Sequence, residues 1–242
     1  MKEKLKCTVQ PMLRVVWMKH SQTRCRIYNG AGKTTPVKLI MGLYQPDSCA
    51  ILYNGTDIRE LETDSYRSRM AAVFQDYKIF AATVGENVLG DECTASDRAT
   101  AERALHLAAF DEKLKALPRG IDTVLTREFD EDGTNLSGGE AQKIAIARVF
   151  ARDCDLIIMD EPSAALDPIA EYTLNRHIAE YAADKTVIFI SHRLSTTRHA
   201  DRIYMLENGR IVEAGTHDEL MAQDGQYAHM FRVQAKNYSL NS

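Results

Sequence analysis

No apolar run in this chain approaches the roughly 18 residues that a membrane-spanning helix requires, so none is expected. Paired cysteines are missing too. The five cysteines, at positions 7, 25, 49, 93 and 154, are odd in number and show no CxxC spacing. That pattern argues against a disulfide framework or a zinc site and for reduced thiols in a cytosolic setting. A secretion signal is not expected either. Met1-Lys2-Glu3-Lys4-Leu5-Lys6 has the charge of one, but Gln10, Pro11 and Arg14 interrupt the apolar stretch that should follow. Repeats and low-complexity segments are absent. So is a large excess of one charge: the formal net charge is −4, which gives no reason to expect nucleic acid as a partner. That average hides an asymmetry. Residues 1–28 hold seven Lys/Arg against the single acid Glu3, a net of +6, which leaves −10 for the rest of the chain. This basic leader reads as a solvated or disordered arm.

What is present fits a soluble fold. At 242 residues, 45% apolar and 26% charged, the chain has room for one large α/β domain or one domain with an inserted subdomain. Residues 29–46 read as a phosphate loop feeding a helix, with Val37, Leu39, Ile40 and Leu43 apolar. Pro36 is tolerable in the first turn, where N–H groups lack intrahelical partners. Asn54-Gly55 after Ile51-Leu52-Tyr53 signals a small antiparallel β region. Met70–Phe74 predicts a short buried strand ending at Gln75. The pattern turns helical from 78 to 135, over Ala95–Ala109 and Asp111–Leu117. Glu140–Ala151 is an amphipathic helix. Leu156–Met159 and Val187–Ile190 are continuous apolar runs of the kind buried in a parallel sheet. Arg202–Leu206 and Arg210–Val212 flank a second hairpin signal, Glu207-Asn208-Gly209, and the tail to Tyr238 reads as helical.

Two strings carry chemistry. Asn29-Gly30-Ala31-Gly32-Lys33-Thr34-Thr35 has the form of a phosphate-cradling loop. Its glycines let backbone N–H groups turn toward phosphates, Lys33 reaches the terminal phosphates, and the Thr34 hydroxyl can ligate magnesium. At the tip of a buried strand, Asp160 supplies a carboxylate of the sort that helps hold magnesium in P-loop enzymes. Glu161 follows it and, by strand alternation, should point differently, toward an attacking water. Ser137, Gly138 and Gly139 precede a helix whose free N–H groups and dipole favour an anion. Ligands of such sheets sit at the carboxyl ends of the strands.

Together with Leu136-Ser137-Gly138-Gly139-Glu140, Leu156–Pro162 and Ser191-His192-Arg193, these motifs make residues 29–238 resemble the ATP-binding domain of ABC transporters. The exporter kind is the nearest match, through Ser191–Thr197, Glu213–Leu220 and Gly225-Gln226-Tyr227. The resemblance implies a P-loop NTPase core with a mainly parallel sheet, over residues 29–75 and 141–240. A helical subdomain at 76–140 ends in the signature, and residues 1–28 form an atypical basic leader. It implies ATP and Mg2+ as ligands, and ATP hydrolysis by Glu161, His192 and Lys33. Magnesium would be held by Thr34, Gln75 and Asp160. Nucleotide contacts fall to Asn29, Gly30, Ala31, Gly32, Lys33, Thr34, Thr35, Gln75, Ser137, Gly138, Gly139 and Asp167. His192 matches the family's switch histidine, Gln75 its Q-loop glutamine, and Ser163–Asp167 its D-loop. Two such domains pack head to tail, each signature closing on the other's ATP. The partners implied are a second ATP-binding domain and a transmembrane domain, at the cytoplasmic face of a membrane.

Three departures from the family pattern stand out. Ile27 occupies the position of the first loop glycine, where a required positive φ would cost a β-branched residue about 1–3 kcal/mol. Cys49 stands where a turn glycine is usual. No apolar strand is expected before the loop, and no aromatic stands at the family's adenine-stacking position; Trp17 and Tyr28 could stack on adenine but neither matches that position. The leader therefore reads as a frame-altered or truncated remnant. A degenerate nucleotide-binding remnant with little turnover, or a soluble ABC ATPase that serves no transporter, are the alternatives to an exporter's ATPase.

Overall fold

The computed structural model describes residues 24–28, 34–46, 50–128, 131–191, 200–207 and 210–239. They fall into two compact units, one formed by Met1–Met70 with Thr186–Ser242 and the other by Ala71–Lys185.

In the first unit, strand β1 (Arg24–Tyr28) lies between β6 (Thr186–Ile190) and β7 (Arg202–Glu207) and runs parallel to both. β7 pairs antiparallel with β8 (Arg210–Gly215). The presence of β1 corrects the expectation that no strand leads into the phosphate loop. Arg24 and Arg26 alternating with Cys25 and Ile27 do not make the apolar run typical of a parallel strand, but pairing on both edges supplies what local propensity lacks. Ile27 pairs with Ile190 on one side and Tyr204 on the other. Its backbone is thus extended, and the strain expected there does not arise.

Helix α1 (Thr34–Ile40) carries Pro36 in its first turn and buries Val37 and Ile40, while Leu43, beyond its end, is exposed. Gly42, at φ 65°, ends it in the left-handed conformation open to glycine. The carbonyls at that end are satisfied from α2 (Thr63–Ser68). The Tyr66 hydroxyl donates to the Ile40 carbonyl, and Arg67 Nη2 donates to that of Gly42 at 2.8 Å. A guanidinium at a helix C-terminus also complements the dipole. β2 (Leu52–Tyr53) and β3 (Thr56–Asp57) form the expected small hairpin around Asn54-Gly55. Helices α8 (His217–Ala222) and α9 (Gln226–Ser239) close the unit on a cluster of Ile203, Met205, Leu220 and Tyr227. The Glu213 carboxylate accepts the N–H groups of Gln226 and Tyr227, capping α9.

In the second unit, β4 (Met70–Val73) neighbours β5 (Leu156–Asp160), and every residue of β5 is buried. Helices α3 (Val84–Leu89), α4 (Arg98–Leu107) and α5 (Asp111–Ala116) follow β4, matching the helical reading of that stretch. α3 and α4 pack on α6 (Gly138–Phe150). Ala101, Ala104 and Leu105 of α4 and Ile144, Ile146 and Phe150 of α6 are wholly or almost wholly buried. Arg148 of α6 crosses to α3, donating to the Asn87 carbonyl at 2.7 Å and to its side-chain oxygen at 3.0 Å. Last comes α7 (Pro168–Tyr181), with Pro at its first position, where a missing N–H costs nothing.

Candidate functional site

The apolar side chains of β5 hold its terminal carboxylate at a fixed place. Asp160, the last strand residue, is only 9% exposed. A carboxylate so placed at a strand tip is a hard oxygen donor of the kind magnesium takes. Among the described residues no three His, Cys, Asp or Glu side chains gather as a metal cage. Magnesium held by one or two protein oxygens and by phosphates needs no such cage.

Glu161 has already left the strand. Its φ is 52°, a left-handed value that is costly for a side chain with a Cβ. The turn, rather than strand alternation, therefore sets its direction, which corrects the reasoning from sequence though not the choice of residue. The Glu161 carbonyl accepts the Ala164 N–H at 3.2 Å, and the Ser163 carbonyl accepts that of Leu166 at 3.2 Å. Ser163 Oγ donates to Glu171 Oε1 at 2.8 Å, tying the turn to α7. At its far end Asp167 caps α7, Oδ1 accepting the N–H groups of Ile169 at 3.0 Å and Ala170 at 2.9 Å. These bonds, that from Ala170 foremost, hold the Asp167 carboxyl below its ordinary value of 3.8. The charged cap thus stabilises the fold above the unfolded value, and the contribution is lost as pH falls through the depressed folded one. Relative to Asp167→Asn, the parent's urea midpoint is expected to be higher at pH 6 and to lose that advantage as the pH is lowered below about 4. A constant difference across that range would remove the charge from the capping role.

The signature residues open α6. Ser137 is its N-cap, Oγ accepting the Glu140 N–H at 3.3 Å while Glu140 Oε2 accepts the Ser137 N–H at 2.8 Å. This is a reciprocal capping box. Burial would push the Glu140 carboxyl up, but the Ser137 N–H and the Lys113 ammonium, 3.0 Å away, outweigh it and lower its pKa. Ser137 and Gly138 are exposed. The Gly138 carbonyl accepts the Tyr77 hydroxyl at 3.0 Å, which links the segment after Gln75 to the signature. Gly139 sits hard against the turn: a Cβ there would lie 3.0 Å from the Ala165 carbonyl oxygen. Sequence reasoning missed the Glu161 backbone, Tyr77 and the buried Gln142, whose amide meets the same turn.

The other candidates are placed as follows. Thr34 and Thr35 begin α1, and Gln75 is exposed two residues beyond β4. Asn29, Gly30, Ala31, Gly32, Lys33 and His192 lie outside the described residues, as do Trp17 and Cys49. The Tyr28 backbone belongs to β1.

A family model described as ABC transporter matches residues 28–164. The chain is 40% identical over 211 residues to a Bacillus subtilis protein named for multidrug export, an ATP-binding/permease protein, covering 86% of this chain and 35% of the relative. A Staphylococcus aureus protein of the same description is 40% identical over 206 residues, with 85% and 35% covered. Among solved structures, a bacterial Atm1-family ABC exporter with ATP bound aligns with a TM-score of 0.80 at 35% identity, covering 88% of this chain and 37% of that one. The chain thus spans about a third of the length of these relatives.

Proposed function

This chain belongs to the ABC transporter family, and on that footing we propose that it is the ATP-binding and ATP-hydrolysing part of an exporter. The observation that carries the reading is the end of β5, where the buried Asp160 is followed by Glu161 in a left-handed turn packed against the signature helix. Magnesium, held by Thr34, Asp160 and Gln75, would supply the charge that offsets the phosphate oxygens. Asn29–Thr35 cradle the phosphates through backbone N–H groups, with Lys33 on the terminal ones and Thr35 beside them. Glu161 orients a water and takes its proton as the water oxygen attacks the γ-phosphorus, and His192 steadies that water. The bond to the β–γ bridging oxygen breaks, leaving ADP and inorganic phosphate.

The exposed Ser137 and Gly138, with Gly139 and Asp167, are the surface through which this chain closes head to tail on a second copy or a similar domain. In that arrangement each N-terminus of α6 meets ATP held by the other chain. The core of this module is residues 29–75 and 141–240, with 76–140 as the inserted helical part. No helix of the described residues is long and apolar enough to cross a membrane. Attachment at the cytoplasmic face through a transmembrane domain is part of this proposal, in line with the relatives named as ATP-binding/permease proteins. The remnant reading drew on a missing first strand, a missing adenine platform and a strained Ile27, and β1 counts against the first and the last of these.

Purified chain with Mg2+ is expected to bind ATP and to release phosphate from it, both measured directly. Binding without phosphate release under any condition of dimerisation would favour the degenerate protein, and absence of binding would overturn the reading altogether.

A further inference from the structure

Gln142 lies one turn into the signature helix and is 3% exposed, one of a small number of buried polar side chains among the described residues. Both ends of its amide are used. Nε2 donates to the Glu161 carbonyl at 3.0 Å, and Oε1 accepts the Ala165 N–H at 2.9 Å. A single side chain therefore spans the turn that follows Asp160, gripping its first residue and its fifth. The first of these is the residue with φ 52°, a conformation that persists in a non-glycine residue only where the surroundings over-determine it. Gly139, on the same helix, lets the Ala165 carbonyl approach to within what a Cβ would turn into a 3.0 Å contact. Helix and turn are thus fastened at two levels, by close packing at Gly139 and by a two-armed hydrogen bond at Gln142.

We propose that Gln142 is a positioning residue that holds Glu161 in its left-handed turn and makes the placement of that carboxylate depend on the signature helix. The proposal rests on the reading of Glu161 as the group that receives the water's proton. Its consequence is a mechanical link inside one chain. The N-terminus of α6 serves the nucleotide held by the partner, whereas Glu161 serves the nucleotide held by its own chain. A shift of α6 as the signature closes on the partner's ATP is passed through the Gln142 amide to the Glu161 backbone. Chemistry at one nucleotide is thereby made conditional on closure over the other. The side chain touches neither substrate nor metal in this scheme. It acts through the backbone, at the Glu161 carbonyl and the Ala165 N–H.

The chemistry of the amide provides the test. Leucine fills the same space and can make neither bond. A carboxylic acid at this position can do both when protonated, its O–H donating to the Glu161 carbonyl and its other oxygen accepting the Ala165 N–H. Once ionised it can only accept, and it then faces the carbonyl with a negative charge. Burial raises the pKa of such a carboxyl above its ordinary range, so the change falls where the enzyme can be assayed. Parent, Glu161→Gln, Gln142→Leu, Gln142→Glu and the double variant Glu161→Gln/Gln142→Leu would be compared for ATP turnover, with urea unfolding confirming that each is folded.

Gln142→Leu is expected to lower kcat roughly ten- to a hundredfold, as misplaced catalytic groups do, with KM for ATP within about twofold of the parent's because the phosphate contacts are untouched. Gln142→Glu should approach parental kcat at the acid end of the range and lose it as pH rises, as a ratio to the parent at each pH. In the Glu161→Gln background, adding Gln142→Leu should cost little more, since the group it positions is already gone. A pH-independent ratio for Gln142→Glu, parental kcat in Gln142→Leu, or fully additive losses in the double variant would each overturn the proposal. Parental turnover in Glu161→Gln would instead show that the reading of Glu161 is at fault, and would overturn the proposal with it.

Discussion

Glu161→Gln is expected to keep ATP bound and to lower its hydrolysis at least about a hundredfold, within the 10²–10⁴ range contributed by a positioned general base. The substitution removes the ability to take a proton while keeping size and hydrogen-bonding reach. The Glu161 carbonyl, which accepts from Ala164 and Gln142, is a backbone group and survives the change. So does the left-handed turn, because Gln at φ 52° meets the same strain as Glu. The fold should therefore be unaltered, and ATP affinity measured at equilibrium should match the parent's or exceed it, since bound nucleotide is no longer consumed. Single-turnover phosphate release separates the two quantities. Turnover equal to the parent's would remove Glu161 from its proposed role.

How far the sequence speaks depends on whether the signal is local. The apolar run Leu156–Met159 reads directly as a buried strand, and the structure buries all of it. The hairpin at Asn54-Gly55 and the α4–α5 stretch are legible for the same reason, since turn chemistry and helical periodicity are properties of neighbouring residues. The start of α6 is read late, at Glu140, although Ser137 followed three residues on by Glu140 is a capping box written in the sequence. Asp167-Pro168 is likewise a helix start, passed over because Asp167 is noticed for another reason.

Strand β1 shows the opposite case. Arg24-Cys25-Arg26-Ile27-Tyr28 has no apolar run to announce a central parallel strand, and what makes it one is pairing with residues 163 positions away in β6 and 177 positions away in β7. No window of a few residues contains that information. The candidate site divides along the same line. Asp160, the phosphate loop and the signature are recognisable as strings. The left-handed Glu161 and the two-armed grip of Gln142 are tertiary facts, because a glutamine in an amphipathic helix looks like any solvated polar residue until its amide is found buried against a turn. The sequence therefore identifies which residues hold chemical groups and is nearly silent on what aims them.

Lys33→Ala is expected to weaken ATP binding itself, unlike the change at Glu161. In sequence Lys33 immediately precedes Thr34, the first residue of α1, and a helix start favours anions through its dipole and the N–H groups that lack intrahelical partners. A charge-assisted hydrogen bond to phosphate is worth about 1.5–3 kcal/mol, or roughly ten- to 150-fold in affinity. The lysine meets the phosphates before the reaction as well as during it, so the loss falls on the ground state and shows in equilibrium binding of ATP, with further loss in turnover as charge moves toward the leaving oxygen. Arginine at this position should not restore it fully, because its planar fork does not fit a site built around a compact point charge. Titration of a non-hydrolysable ATP analogue with Mg2+ reads the binding loss without interference from turnover. The stability of the fold should be unchanged, since the α1 carbonyls at the other end keep their partners in Tyr66 and Arg67. Equal affinity in parent and Lys33→Ala would mean that Asn29–Thr35 does not cradle phosphates in this chain, and that whatever nucleotide it binds is held elsewhere.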